Sequence, residues 1–188
     1  DRFTKESVFV TNGDVAELMN ELGQLEINGV ADNGAQYLDL GQRGLKGKTE
    51  FFYRRGDGSS LYATRDIAYH RWKWTQCNEL INVLGEDHRL RAKQVGLTLE
   101  ELGERRPEVM FYSFIKLPEG KMSTRRGNVV FMDDLLEEAK AHATDVLKER
   151  RPDLDDETMA HIAEAVGTSA VRFNIISVSP EKGFTFRW

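Results

Sequence analysis

The sequence predicts an α/β protein, and three observations carry that prediction. Amphipathic helical stretches alternate with short apolar strands through the first two-thirds of the chain. The order strand, helix, strand recurs at lengths that suit a parallel sheet with right-handed crossovers. Near residues 131–135 the composition changes to successive amphipathic helices, which marks the expected boundary with a helical domain.

Taken in order, residues 7–10 read as a short strand, and Asp14 reads as the cap of a helix to about Leu22, with Val15, Leu18 and Leu22 on one face and Gly23 as its stop. Residues 35–40 alternate weakly as a strand, and residues 41–48 form a basic glycine-rich loop. Residues 50–55 and 61–64 read as strands paired through Gly56-Asp57-Gly58-Ser59, which is hairpin chemistry. Residues 66–74 read as a helix, 80–84 as a buried strand, and 87–102 as a helix starting just after Gly85. Such a strand–turn–helix places a ligand at a helix N-terminus. Residues 109–117 read as a strand, followed by a glycine-bounded basic loop to residue 128. Three helices then follow, 133–149, 155–166 and 168–178, punctuated by Pro152 and Gly167.

Composition excludes several classes. With 188 residues, 40% hydrophobic and 30% charged, the chain is long enough to bury a core, and disorder is excluded as its main state. No apolar run approaches the roughly 20 residues of a membrane span, and the first residues lack a signal-peptide core. One cysteine, Cys77, and four scattered histidines give neither an internal disulfide nor zinc spacing, so a reducing, cytoplasmic setting without a dedicated metal site is expected. The net charge of −5 is uneven: residues 1–40 and 127–188 are acidic, while residues 41–126 carry 17 basic against 11 acidic residues. A basic middle in an acidic whole suits a phosphate-rich ligand at one site. The chain starts without Met and stops in the alternating Phe184-Thr185-Phe186-Arg187-Trp188, so a piece of a longer protein is expected.

The most informative stretch is Gly120-Lys121-Met122-Ser123-Thr124-Arg125-Arg126-Gly127-Asn128. Its cations can neutralise charge growing on a triphosphate during displacement, and its glycines let backbone donors close over the phosphates. This stretch resembles the signature loop of class I aminoacyl-tRNA synthetases, in the Lys-Met-Ser-Thr-Arg-x-Gly form of arginyl-tRNA synthetases. Residues 57–69, Asp-Gly-Ser-Ser-Leu-Tyr-Ala-Thr-Arg-Asp-Ile-Ala-Tyr, resemble the arginine-pocket segment of that family. Val83-Leu84-Gly85-Glu86-Asp87-His88 with Lys93-Gln94 resembles its next strand-to-helix segment, and the stretch from Ala165 to Phe186 resembles the opening of its helical anticodon-binding domain.

The resemblance implies a Rossmann-like scaffold. Residues 1–132 would be the C-terminal half of the catalytic domain, with a peripheral segment at 1–50 and the signature loop at 120–128. Residues 133–188 would be the first helices of an all-α anticodon-binding domain. It also implies roles. Tyr62, Asp66 and His88 would contact the arginine side chain; Gly85, Glu86, His88, Lys121, Met122 and Ser123 would bind ATP. Lys121, Ser123, Thr124 and Arg125 would serve catalysis, and Arg126 and Arg172 would meet tRNA. On spacing alone, Asp66 better suits a helix N-cap and Tyr62 an ordinary strand aromatic, while His88 equally suits a helix-start side chain and Arg172 helix packing.

The sequence departs from the family pattern in two places: His88 stands where many relatives have Gln, and Thr124 takes the place of a second signature lysine, for which Arg125 or Arg126 would supply the cation. A His-x-Gly-His type ATP motif is absent, so the other half of the active site is expected outside this chain, and the chain alone is expected to be inactive. The implied partners are ATP with Mg2+ as substrate, L-arginine, the arginine tRNA and the remaining segments of the polypeptide. A monomeric parent without membrane contact or tightly bound cofactor completes the reading. Two rivals are a class I synthetase for another amino acid such as lysine, and a noncatalytic tRNA- or protein-binding module. Trp72 and Trp74 are two residues apart on a helix and so cannot share one stacking face, which favours packing roles.

Overall fold

The computed structural model describes residues 2–116 and 131–185, in two compact units that divide between Phe111 and Tyr112. Among the described residues no helix is long and apolar enough to cross a membrane.

The first unit opens with α1 (Ser7–Thr11), where a strand was expected. Val8 and Val10 are exposed and their β preference decides nothing; Phe9 is buried against the rings of Tyr69 and Trp72, 5.6 and 5.9 Å away. Helix α2 (Asp14–Gly23) buries Val15, Leu18 and Leu22, as the spacing predicts. Its N-cap is Gly13 at φ +96°, so Asp14 is the first helical residue rather than the cap; with Glu17 it complements the helix dipole.

An antiparallel meander follows: β1 (Asn28–Val30), β2 (Gln36–Asp39) and β3 (Glu50–Arg54), in the order β1-β2-β3. β1 was not anticipated, because three residues that include Gly29 carry no alternation. The expected hairpin of residues 50–55 with 61–64 is also corrected. Only a bridge between Arg54 and Ser60 remains of it, and the chain passes directly into α3 (Tyr62–Trp74). The cause is local: the Tyr53 carbonyl accepts from Leu61 N at 3.1 Å and from the Thr64 hydroxyl at 2.5 Å, which curls residues 61–64 into a first helical turn. Gly56 is required at the preceding turn, since a Cβ there would sit 2.1 Å from the Asn33 carbonyl oxygen.

Helix α3 leads to β4 (Ile81–Gly85), a 3-10 turn at Glu86–His88, α4 (Arg89–Glu101) and β5 (Glu108–Tyr112). Strands β4 and β5 form a two-stranded parallel sheet, so the expected strand–helix–strand crossover is present. The core of this unit joins Leu18 and Leu22 of α2, Phe51 and Tyr53 of β3, Ile67 of α3, and Val95 and Leu99 of α4. Trp72 stacks on Tyr69 within it, and Trp74 donates its indole N–H to the Arg105 carbonyl at 2.9 Å, so both tryptophans serve packing.

The second unit is built on α5 (Met132–Arg150) and α6 (Asp156–Ile176), packed on each other. Asp155 caps α6, its carboxylate accepting from the Thr158 amide and hydroxyl at 2.8 Å each. Two helices were expected here, broken at Gly167, but α6 is continuous. A Cβ at Gly167 would lie 2.8 Å from the backbone nitrogen of Lys140 and 2.9 Å from the carbonyl of Ala139, so this glycine admits the close approach of α5. The unit also contains an apolar cavity of about 690 Å³ between the segment after β5 and the end of α6, lined by Phe114, Ile175, Ile176, Pro180 and Phe184.

Candidate active site

Helix α3 has two working faces. Ala63, Thr64, Ile67 and Ala68 are buried in the core, while Tyr62, Asp66, Tyr69, His70 and Lys73 recur at helical spacing along the opposite side. The core face is anchored. The Tyr53 carbonyl holds the first turn, and the Arg71 guanidinium donates to both Glu21 carboxylate oxygens of α2 at 2.8 and 2.5 Å. That pairing holds the Glu21 carboxyl below the usual carboxylate range.

The stripe on the other face lines a cavity of about 210 Å³, completed by Asn82 and Leu84 of β4, His88 of the 3-10 turn, and Arg91 and Val95 of α4. Tyr62, Asp66 and His88, each singled out from the sequence, therefore converge on one hollow. Asp66 lies in the second turn of α3 rather than at its cap, and its side chain is 27% exposed. Tyr62 is the first residue of α3, not the end of a strand. A smaller hollow of about 170 Å³ lies on the other side of the Tyr62–Asp66–Tyr69 ridge, where Arg65 Nε pairs with Glu6 at 3.0 Å.

Behind Asp66 sits a polar cluster. His70 is buried, with Nδ1 2.8 Å from the Asp66 backbone carbonyl and 3.2 Å from Asp66 Oδ1. Its Nε2 lies 2.8 Å from Asn82 Nδ2 and 3.1 Å from Lys73 Nζ, and Lys73 donates to Asn82 Oδ1 at 3.1 Å. Burial pushes the Lys73 ammonium below its usual range, the nearby Asp66 charge opposing that shift, and the ammonium stands 4.6 Å from the Tyr69 ring centroid. Chemically, the cavity sets one carboxylate, Asp66, beside two cations, Lys73 and Arg91, with a phenol and an imidazole at its rim, so it can take a ligand that carries both charges.

Other expected residues fall differently. Gly85 is buried and Glu86 exposed in the stretch leading to His88, and neither lines the cavity. Arg172 is exposed on α6, beside the buried Val171. Lys121, Met122, Ser123, Thr124, Arg125 and Arg126 lie outside the described residues. Sequence reasoning missed Lys73, Asn82 and Arg91; the spacing from Tyr62 along α3 would have found the first, whereas Asn82 and Arg91 are brought in only by the fold.

The chain matches known proteins along nearly all of its length. A family model described as tRNA synthetases class I (R), catalytic domain, matches residues 4–188, and the chain belongs to that family. Curated relatives named arginine–tRNA ligase include those of Methanocella arvoryzae, 48% identical, and Methanothermobacter thermautotrophicus, 47% identical, each aligned over all of this chain and 33% of the relative. The chain thus spans about a third of the length of these relatives. Among solved structures, Thermus thermophilus arginyl-tRNA synthetase superposes with a TM-score of 0.77 at 22% identity, over 96% of this chain and 36% of that one. Plasmodium falciparum arginyl-tRNA synthetase gives 0.74 at 15% identity, over 99% and 31%. These likenesses bear out the α/β synthetase fold expected from the sequence.

Proposed function

We propose that this chain is part of an arginine–tRNA ligase and supplies its arginine pocket. The observation that carries the reading is the convergence of Tyr62, Asp66 and His88 on one cavity with a carboxylate inside it. A guanidinium presents a planar fork of N–H donors, and Asp66 accepts two of them in parallel. Tyr62 and His88 then border the side chain and the α-carbon end. His88 supplies one hydrogen bond where an amide would supply both a donor and an acceptor.

In the whole enzyme the arginine carboxylate attacks the α-phosphorus of ATP, the bond to the β-phosphate oxygen breaks, and pyrophosphate leaves with Mg2+. The tRNA terminal ribose hydroxyl then attacks the arginyl-adenylate carbonyl and AMP departs. Lys121, Ser123, Thr124 and Arg125 serve the phosphates, with Met122, Gly85 and Glu86 beside the nucleotide. Arg126 and Arg172 are assigned to tRNA. Residues 1–132 then form the second half of the catalytic domain and residues 133–188 the start of the helical domain after it, in a monomeric cytoplasmic enzyme. The chain alone holds one side of this machinery and catalyses no ATP–pyrophosphate exchange above background; a rate comparable to that of a complete synthetase contradicts this division of labour.

The direct test is a backbone NMR titration with L-arginine, L-lysine and L-citrulline. Shifts clustered at Tyr62, Asp66 and His88 for arginine alone are expected. Equal shifts with lysine point to another class I specificity, and equal shifts with uncharged citrulline remove the charge-pairing role of Asp66.

A further inference from the structure

We propose that His70 is a positioning residue for Asp66, and that Lys73 and Asn82 set the tautomer through which it acts. The proposal rests on the arginine-pocket reading only for its consequence in binding; its structural content stands on contacts within the first unit.

The assignment starts at the one group without ambiguity. The Lys73 ammonium can only donate. It faces Asn82 at 3.1 Å, so the atom it meets is the amide oxygen, and the Asn82 amide nitrogen is turned to His70 Nε2 at 2.8 Å. Lys73 also faces Nε2 itself, at 3.1 Å. Two donors on Nε2 require it to be the bare, accepting nitrogen, so the ring proton sits on Nδ1. Nδ1 in turn faces two acceptors on Asp66, its backbone carbonyl at 2.8 Å and Oδ1 at 3.2 Å.

The result is a one-way relay, from ammonium to amide to imidazole, whose N–H end is bonded to the Asp66 backbone carbonyl and faces its carboxylate. The Nδ1–H is hydrogen-bonded to the Asp66 backbone carbonyl and stands 3.2 Å from Oδ1, so its positive end draws that oxygen and biases the Asp66 side chain toward one rotamer. Oδ2 and the side of Oδ1 turned away from the ring are left for a forked cation in the cavity. A side chain held in one rotamer before the ligand arrives gives up less freedom on binding, which is how a group that never touches the ligand raises its affinity. His70 itself is 4% exposed and held at both ring nitrogens, so it transmits orientation rather than motion.

The test uses the 188-residue chain. Long-range proton–nitrogen NMR of the His70 ring is expected to show Nδ1 protonated and Nε2 bare; a ring protonated on Nε2 overturns the proposal without any variant. Three-bond couplings report the Asp66 rotamer. His70→Asn puts an amide nitrogen near the Nδ1 position and is expected to keep one rotamer. His70→Gln puts it near the Nε2 position and, like His70→Ala, leaves Asp66 averaging. With L-arginine as probe, His70→Asn is expected within about twofold of the parent affinity, and His70→Gln and His70→Ala about tenfold weaker. A single Asp66 rotamer in all three variants refutes the relay. If the parent chain keeps the Nδ1 tautomer and the single rotamer but binds no arginine, the relay stands and the substrate reading for this chain fails.

Discussion

Gly167→Ala tests the reading of the second unit most sharply, because two simple expectations for it have opposite signs. On an open helix face the substitution stabilises by about 1 kcal/mol, since alanine is the better helix former. At this position the new Cβ would meet the Lys140 nitrogen at 2.8 Å and the Ala139 carbonyl at 2.9 Å, where ordinary contact begins at 3.4 Å. Those are backbone atoms of α5 and cannot rotate away, so the helices must part by about half an ångström or more along their packed line. Overpacking of this kind costs about 1–3 kcal/mol, and backbone against backbone belongs in the upper part of that range. After the propensity gain, a net loss of about 1–2 kcal/mol remains. Native-state amide exchange is the right assay, because it reads each helix locally in a chain of two units. Amides of α5 and α6 are expected to exchange about 5–30 times faster in the variant. Slower exchange, by about fivefold, would show that α6 presents Gly167 to open space and would refute the close crossing.

Two further outcomes concern the first unit. Arg71 holds the folded Glu21 carboxyl below its usual value, so its contribution is complete above about pH 4.5 and fades as pH falls through the lowered folded value. Both side chains are partly exposed, so about 0.5 kcal/mol is at stake: Glu21→Gln should lower the melting temperature slightly at pH 7 and converge on the parent near pH 3, and parallel pH profiles would exclude the pair as a pH-dependent clamp. Asp66→Asn removes the charge from the cavity while keeping its shape; arginine binding by NMR or calorimetry is expected to fall by about a hundredfold, and an unchanged affinity would move the guanidinium site elsewhere.

What was legible in the sequence divides by the range of the cause. The buried face of α2 and the β4–α4–β5 crossover are local periodicities, and both are found as expected. The start of α3 was misread because Leu61 and Tyr62 alternate like a strand and no side chain caps the helix; the deciding bonds run to Tyr53, eleven residues before Thr64. Gly167 was read as punctuation because a break and a close helix crossing use the same residue, and only the partner helix tells them apart. At the site, Tyr62, Asp66 and His88 came from family motifs rather than from spacing, which left a cap and a strand aromatic as open alternatives. Asn82 gave no signal at all, since it becomes a partner of His70 only when β4 is laid beside α3.

The single helix that carries Tyr62, Asp66, Tyr69, His70 and Lys73 limits how the pocket can change over evolutionary time. Loops alter a site by lengthening or shortening, one contact at a time. Within α3 an inserted or deleted residue would turn every later side chain by about 100°, swinging the cavity stripe and the core stripe out of place together. Changes of ligand must therefore come by replacement at fixed positions, and those who would redesign the pocket have a short ladder of five rungs to work on. The turn that bears His88 belongs to a different element and is free to vary in length or residue without disturbing that ladder.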